Sequence, residues 1–360
     1  MLIKNARIDG HPVDLRIDHT VQAMARHLEV APNETVLDAR GGELLPGLHD
    51  NHIHLFAAAA AHDSVDCNVG SGTLSQCRAL LEARLKRATG NDWIRGVDYQ
   101  EQQVGELDRW ILDELCPTRP VRIQHRSGKV WVCNSLALRE LGFKDTELID
   151  GLERSSRGLL TGRIVRRDRL LAERLKHAKA SRRPNITAYS RQLARYGIVG
   201  ITDTSASNTT DTLADFQRLS DGGELLQHFS LMGSDELDSG YLKILLDEDR
   251  LPDLANLVGR INQARRKGRN VAFHCVTHLE LVFALAALAE AAPCEAGFDR
   301  IEHGAVVNDE MALRLASLGM PVITQPGFIY TKGDRYLADL TGSELSDLYR
   351  FRGLQDLGVP

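Results

Sequence analysis

The chain lacks a cysteine pattern that would indicate disulfides or a cysteine-bound metal. Only six of its 360 residues are cysteines, and no two of them form a Cys-x-x-Cys pair. A disulfide framework and a cysteine-type zinc site are therefore unsupported, and we expect packing thiols. The six are Cys67, Cys77, Cys116, Cys133, Cys275 and Cys294.

Long runs of one charge and long apolar runs are also missing. The net charge is −5 and no basic run is present, which argues against a nucleic-acid partner. The most apolar segment, residues 279–292, contains two Glu and is shorter than a bilayer span. The N-terminus has no apolar segment typical of a signal peptide. We predict a cytoplasmic protein without a membrane partner; the sequence leaves the oligomeric state open, a homo-oligomer included.

What is present is a change of pattern along the chain. Residues 1–46 carry short β-prone runs, which predict a small antiparallel sheet. From residue 198, short apolar runs alternate with amphipathic helices, which predicts parallel strands in a barrel or a doubly wound sheet. Residues 60–190 interrupt this alternation and are interpreted as an insertion. The predicted strands are 44–54, 198–203, 225–231, 242–246, 271–275, 299–303 and 321–325. The predicted helices are 208–219, 253–267, 277–292, 308–318 and 343–357, with Asn308 and Ser343 as N-caps.

Four histidines fall at predicted strand ends. His52 and His54 are two residues apart in a β-prone run, so both face the same side, as two imidazoles that share a metal must. Such a pair also arises by chance, and incidental histidines remain the alternative. His274 and His303 end two further strands, where a parallel barrel builds its active site. Each alone could be a hydrogen-bonded core histidine, but together the four predict one metal site.

Lys243 lies inside a predicted strand. Alternation places Leu242 and Ile244 on one face and Lys243 on the other, towards the barrel interior. Burial there would lower the pKa of Lys243, and its neutral amine could take up carbon dioxide to form a carbamate that bridges two metal ions. The alternative is a lysine whose chain extends outward to solvent at the strand end.

These segments resemble the amidohydrolase superfamily, in its YtcJ-like or amidohydrolase-3 branch. The matching segments, in family order along residues 1–360, are LLPGLHDNHIHL, RIQHRSGKVWVCNSLAL, GLLTGRI, YGIVGITDT, YLKILLDE, VAFHC, RIEHGAVV and VITQP. The resemblance implies an α/β fold with a TIM-like (β/α)8 barrel, of which this sequence contains seven strands. Residues 1–46 would be half of a small β-sandwich and residues 47–360 the barrel, with residues 60–190 as a substrate or lid region.

The resemblance also implies a site and a reaction. Its metal ligands would be His52, His54, Lys243, His274 and His303, with His274 and His303 also catalytic. One or two divalent ions, zinc given the imidazole ligands, would activate water to cleave an amide-type C–N bond of a small molecule. Weaker candidates for substrate binding are Tyr99, Lys129, Trp131, Asn134 and Gln325; core packing or strand-end hydrogen bonding is the alternative for these.

Two departures from the family pattern leave rival functions open. Such sequences often carry His at the position of Lys129, which bears on substrate preference. In the family an eighth strand supplies an Asp that acts as general base, and no such strand is found before Pro360. We therefore expect a longer natural chain or closure by another segment. The rivals are a heterocycle deaminase of the same superfamily, which Lys243 disfavours, and a catalytically silent binding scaffold.

Overall fold

The computed structural model describes residues 1–88, 93–178, 184–294 and 297–360. It opens with four strands, β1 (Leu2–Ile8), β2 (His11–Ile17), β3 (Val21–Ala25) and β4 (Val36–Asp38). They form one sheet in the order β3-β2-β1-β4, in which β1 pairs antiparallel with β2 and parallel with β4. Its small core contains Ile3 and Ala6 of β1, between which the register shifts, and the alternate residues Val13 and Leu15 of β2.

A second, mixed sheet occupies most of the segment predicted as an insertion. After β5 (Leu48–Ile53) and α1 (Leu55–His62) come β6 (Val65–Asp66), β7 (Ile94–Tyr99), β8 (Val121–His125), β9 (Val130–Cys133), β10 (Leu152–Arg154) and β11 (Leu160–Val165). Strands β6 to β11 pair in the order β10-β11-β9-β8-β7-β6. The helices here are α2 (Leu74–Arg87), α3 (Glu101–Val104), α4 (Arg109–Leu115), α5 (Ser135–Glu140) and α6 (Asp168–His177). Residues 89–92 and 179–183 of this segment lie outside the described residues.

The rest of the chain alternates parallel strands with helices. The strands are β12 (Ile198–Asp203), β13 (His228–Leu231), β14 (Leu242–Leu245), β15 (Val271–Cys275), β16 (Arg300–His303) and β17 (Val322–Ile323). The helices are α7 (Ile186–Arg195), α8 (Thr210–Asp221), α9 (Leu254–Arg266), α10 (His278–Glu290), α11 (Asp309–Ser317), α12 (Gly327–Asp339), α13 (Gly342–Ser346) and α14 (Phe351–Asp356), with a 3-10 turn at Glu248–Arg250.

The parallel strands form two sheets, β13-β12-β5 and β14-β15-β16-β17, and every pairing within them is parallel. A single bridge from Gly233 to Leu242 links the two. The carboxyl ends of all seven strands therefore lie at the same side, which confirms the predicted α/β class with parallel strands.

The largest hydrophobic core lies between β14–β16 and helices α9–α11. Apolar residues recur on one face of α9 and pack Leu257 and Ile261 against the strands. Asp253 and Asn308 cap α9 and α11, each accepting a hydrogen bond from a backbone N–H of the first turn. The Asn308 cap was predicted from the sequence and is confirmed.

The segment predicted as one helix over 343–357 is two short helices, α13 and α14. The break has a visible cause: Leu348 forms a bridge with Val306, and the N–H of Tyr349 donates to the carbonyl of Ala305 at 2.7 Å. Thr341, not Ser343, is the N-cap of α13, and it forms a capping box with Glu344.

The cysteines and the helix lengths bear on the expected packing thiols and on the expectation of no membrane partner. Five cysteines, Cys67, Cys77, Cys116, Cys133 and Cys275, are buried and form no disulfide. Among the described residues, no helix has the length and apolar character needed to cross a bilayer.

Candidate metal centre

The four histidines that are predicted metal ligands lie close together at the carboxyl ends of three strands. His52 lies on β5, His54 directly follows that strand, His274 lies on β15 and His303 ends β16. The imidazole centroids of His52 and His54 are 5.5 Å apart, those of His52 and His303 4.6 Å, and those of His274 and His303 4.5 Å. We call these residues together with Lys243 the histidine cluster.

Three rings of the histidine cluster have their Nδ1 atoms engaged by a neighbouring side chain. His54 Nδ1 lies 2.8 Å from Ser205 Oγ, and His303 Nδ1 lies 2.7 Å from Gln325 Oε1. The Nδ1 of His52 donates to the carboxylate of Glu302. Metal-binding histidines are commonly oriented by such a partner, which leaves Nε2 as the ligand atom.

The side chains are not arranged around one point as they stand. Within the described ranges, no group of three His, Cys, Asp or Glu residues could hold a metal ion without adjustment. Some side-chain movement would be needed to bring the ring nitrogens to a shared ion. The donor types fit a divalent transition metal, and the rings are near enough for that adjustment.

Lys243 points into the histidine cluster from β14. Its side chain is buried, and its Nζ has no hydrogen-bond partner; the carboxylate of Glu302 is 4.0 Å away. The pKa of Lys243 is lowered to about 8, mainly by burial; the charge of Glu302 opposes this shift and the charge of Arg300 adds to it. A buried amine without a partner is costly, so a group that bonded to it would stabilise the site.

Burial also affects the imidazoles. It lowers the pKa of His274 to about 4 and the pKa of His303 to about 3, and neighbouring histidines and Lys243 add to both shifts. Both rings are therefore neutral at pH 7, which is the form that binds metal.

Glu302 is a site residue that the sequence analysis missed. It is fully buried, accepts a hydrogen bond from His52 and from Arg300 Nε at 2.5 Å, and faces Lys243. Burial alone raises the pKa of Glu302, but the bond to His52 and the charges of Lys243 and Arg300 lower it below its ordinary value. Strict alternation along β16 would have turned Glu302 and His303 to opposite sides.

The backbone at His303 explains how both residues reach the site. His303 has φ +71°, in the left-handed region that a non-glycine residue seldom adopts, and Gly304 follows at φ +50°. A Cβ atom at Gly304 would lie 2.6 Å from Val322 Cγ1, so glycine is needed there. The chain thus turns sharply at the end of β16, and such strain is typical of functional sites.

Asp203 positions the start of α1 beside His54. Its carboxylate accepts from the N–H of Leu55 at 2.7 Å, from the N–H of Ser205 at 3.0 Å and from Asn208 Nδ2 at 2.9 Å. Ser205 is the residue that contacts His54 Nδ1. Asp203 therefore holds both the backbone next to His54 and that imidazole's partner.

Of the five substrate-binding candidates, Gln325 alone contacts the histidine cluster, through His303. Lys129 is exposed in the turn between β8 and β9. Tyr99 and Asn134 are fully buried with their polar atoms satisfied: the Tyr99 hydroxyl donates to Gly105 and accepts from Leu107. Asn134 caps α5 and also accepts from the N–H of Val121.

Trp131 is likewise a packing residue of the six-stranded sheet. It is buried, and its Nε1 donates to Asp168 Oδ1 at 2.8 Å. Tyr99, Trp131 and Asn134 each have their side-chain polar atoms hydrogen-bonded within the protein, so the structure gives them packing roles, and their part in substrate binding stays a prediction. A single sequence has no signal that separates a buried aromatic from one that lines a cleft.

The family of the chain is identified by a family model that matches most of its length. The model of the amidohydrolase family matches residues 35–360. The chain belongs to the amidohydrolase family. As an amidohydrolase, it is a hydrolase that acts on carbon–nitrogen bonds.

The individual relatives have low sequence identity to this chain, but they align with most of its length. The amidohydrolase is 25% identical over 387 residues to N-substituted formamide deformylase of Arthrobacter pascens, covering 91% of this chain and 71% of that protein. It is 23% identical over 346 residues to the putative amidohydrolase YtcJ of Bacillus subtilis (strain 168), covering 83% and 65%. The crystal structure of an uncharacterized metal-dependent hydrolase from Pyrococcus horikoshii OT3 superposes with a TM-score of 0.70 at 19% identity, covering 99% and 80%. That likeness establishes an amidohydrolase-type α/β fold.

Proposed function

We propose that this amidohydrolase cleaves an amide-type C–N bond of a small molecule at a metal centre formed by His52, His54, Lys243, His274 and His303. The observation that carries the proposal is the buried Nζ of Lys243, which has no hydrogen-bond partner and lies among clustered imidazoles. A silent scaffold would have no reason to retain such a costly group.

The seven parallel strands are proposed to be strands one to seven of a (β/α)8 barrel. The order β5, β12, β13, β14, β15, β16, β17 supports this, because each strand lies beside its successor and the Gly233–Leu242 bridge joins the two sheets. Residues 1–46 would then be part of a separate sandwich, and residues 60–190 a substrate or lid region. We also retain the proposal of a cytoplasmic location.

A bound divalent ion, zinc by the preference of imidazole ligands, would polarise the scissile carbonyl and make water nucleophilic near neutral pH. His52 is oriented for this role by Glu302, His54 by Ser205 and His303 by Gln325. The lowered pKa values of His274 and His303 keep both rings unprotonated, so that they can hold the ion and orient the substrate.

Lys243 is proposed to act as a carbamate. Its lowered pKa, about 8, leaves a fraction of neutral amine at pH 7, and that amine can add carbon dioxide with release of one proton. The product is an anion at the place where an unpaired ammonium would otherwise be buried. This anion could hold a second ion beside the imidazoles.

The substrate class is suggested by one relative. The Arthrobacter pascens protein is named as a deformylase of N-substituted formamides. We therefore propose N-substituted formamides and related small amides as first substrates.

The test is metal content and hydrolysis of a series of N-alkyl and N-aryl formamides and acetamides, with and without added zinc. Lys243→Ala should lose both activity and part of the metal, while Lys176→Ala, at an exposed position of α6, should lose neither. Reloading of metal-stripped protein should be faster with bicarbonate than without it. Full metal and full activity in Lys243→Ala would refute the proposed role of Lys243. Release of ammonia from heterocyclic amines without any amide hydrolysis would favour the deaminase.

A further inference from the structure

A polar cavity lies against the six-stranded sheet, away from the histidine cluster. Its volume is about 640 Å³, within the range of small-molecule sites. The described residues that line it come from the end of α1, the end of α2, strands β6 to β8 and Pro184–Asn185, and none belongs to the histidine cluster. Five of them are arginines: Arg84, Arg87, Arg95, Arg119 and Arg122.

Two of these arginines lie side by side on neighbouring strands of the sheet. Arg95 on β7 and Arg122 on β8 are register partners in a parallel pair, so their side chains leave the same face side by side. Both are partly buried. Like charges placed opposite each other in a sheet repel, and burial strengthens that repulsion.

Neither guanidinium has an acidic partner among the described residues. Arg95 donates to the carbonyl of Ala60 at 2.9 Å and to Ser64 Oγ at 2.6 Å, which are both neutral acceptors. Arg122 makes no side-chain hydrogen bond within the described part of the chain and stacks on Trp131, 5.2 Å from the ring centroid. The pKa of Arg95 is lowered to about 10, by burial first and by the neighbouring Arg122 second.

The two aspartates at the cavity are already engaged. Asp66 pairs with Arg84 at 3.1 Å, and Asp63 accepts a hydrogen bond from the N–H of Asn185 at 2.7 Å. Within the described residues, the positive charges of Arg95 and Arg122 therefore have no carboxylate partner, and both guanidiniums lie over the ring of Trp131. In the same cavity, the partly exposed Trp93 offers apolar surface.

We infer that this cavity binds a small organic anion whose carboxylate or phosphate group lies between Arg95 and Arg122 and whose apolar body contacts Trp93. Guanidinium groups bind planar carboxylates and phosphates through paired, charge-assisted hydrogen bonds. The oxyanion would supply the counter-charge that the described residues do not provide to Arg95 and Arg122. This site is independent of the proposed hydrolysis, because the two share no residue.

The test uses calorimetric titration of the full chain with benzoate and with phenyl phosphate, which separate the carboxylate from the phosphate source. Benzylamine, a cation of similar shape, is the ligand control. At least one anion should bind saturably at constant ionic strength and benzylamine should not. Arg122→Gln should weaken that binding about tenfold or more. Arg352→Gln, at an exposed arginine of α14 that pairs with Asp356, should leave it unchanged.

Two further measurements protect the test against a folding defect. Arg122→Lys keeps the charge but loses the paired geometry, so it should bind the anion with intermediate affinity. Without ligand, Arg122→Gln should melt no lower than the wild type, because it removes the repulsion of Arg95. The inference is overturned if neither anion binds, if benzylamine binds equally well, or if Arg122→Gln binds as tightly as the wild type.

Discussion

The histidine cluster and the six-stranded sheet both bury a positive side chain that makes no hydrogen bond to a carboxylate. In the histidine cluster the group is the amine of Lys243, whose pKa is lowered to about 8 by burial. In the sheet it is the guanidinium of Arg122, whose pKa burial also lowers, but from a far higher ordinary value. Lysine can therefore give up its proton and react, whereas arginine stays charged and attracts an anion. In the two proposals, the same physical cost supports chemistry in one place and recognition in the other.

Replacing Lys243 by arginine attacks this contrast directly and should have the largest effect. A guanidinium stays protonated and cannot take up carbon dioxide, so we expect hydrolysis to fall about 100-fold or more. The measurement is kcat/KM on the best amide substrate, together with metal per chain. Lys176→Arg, on the exposed face of α6, is the control. Retained activity in Lys243→Arg would exclude the carbamate.

Glu302→Gln should have the next largest effect, on stability. It leaves Arg300 buried without its counter-charge while the shape of the side chain is kept. Breaking such a buried pair costs about 3 kcal/mol or more in free energy of unfolding. Urea denaturation should detect this loss. Glu173→Gln, in an exposed pair with Arg169, should change the free energy by less than about 0.5 kcal/mol, and an equal loss in both variants would contradict the expectation.

Tyr99→Phe tests the assignment of Tyr99 to the core of the sheet. Loss of the hydroxyl leaves the N–H of Leu107 and the carbonyl of Gly105 without their partner. We expect a loss of about 1–3 kcal/mol in unfolding free energy with KM unchanged. A raised KM at unchanged stability would return Tyr99 to the substrate site.

The smallest effect is expected at the helix caps of the parallel-strand region. Asn308→Ala removes the cap of α11 and should cost about 1 kcal/mol of unfolding free energy. Ser343→Ala lies inside α13, behind its actual cap Thr341, and should stay within about 0.5 kcal/mol of the wild type. Thermal melting of both variants under identical conditions measures the difference, and equal losses would show that the cap contributes nothing here.

Local periodicity and strand ends were the features that the sequence could predict. His52, His54, His274 and His303 were identifiable because each lies at the end of a β-prone run, and parallel strands bring such ends together. Glu302 was hidden because the left-handed turn at His303 cancels the alternation on which the prediction relied. The break between α13 and α14 was equally hidden, since it depends on pairing with residues about 40 positions earlier.

Residues of the six-stranded sheet were the least predictable. Aromatic residues such as Trp131 and Tyr99 occur both at binding surfaces and in cores. Only the packing of the sheet and its helices shows that these two are buried in the core. Arg95 and Arg122 are 27 positions apart, and nothing local indicates that they are register partners. Cross-strand pairing is a tertiary property, so no local pattern in a single sequence indicates which residues are register partners.

The left-handed backbone of His303 has a consequence for laboratory evolution. Glycine or asparagine would relieve the torsional strain at φ +71°, so a library selected only for heat resistance should drift to these residues at position 303. Selection for turnover should instead hold histidine there. Position 303 would then be a place where gains in durability and gains in activity exclude each other.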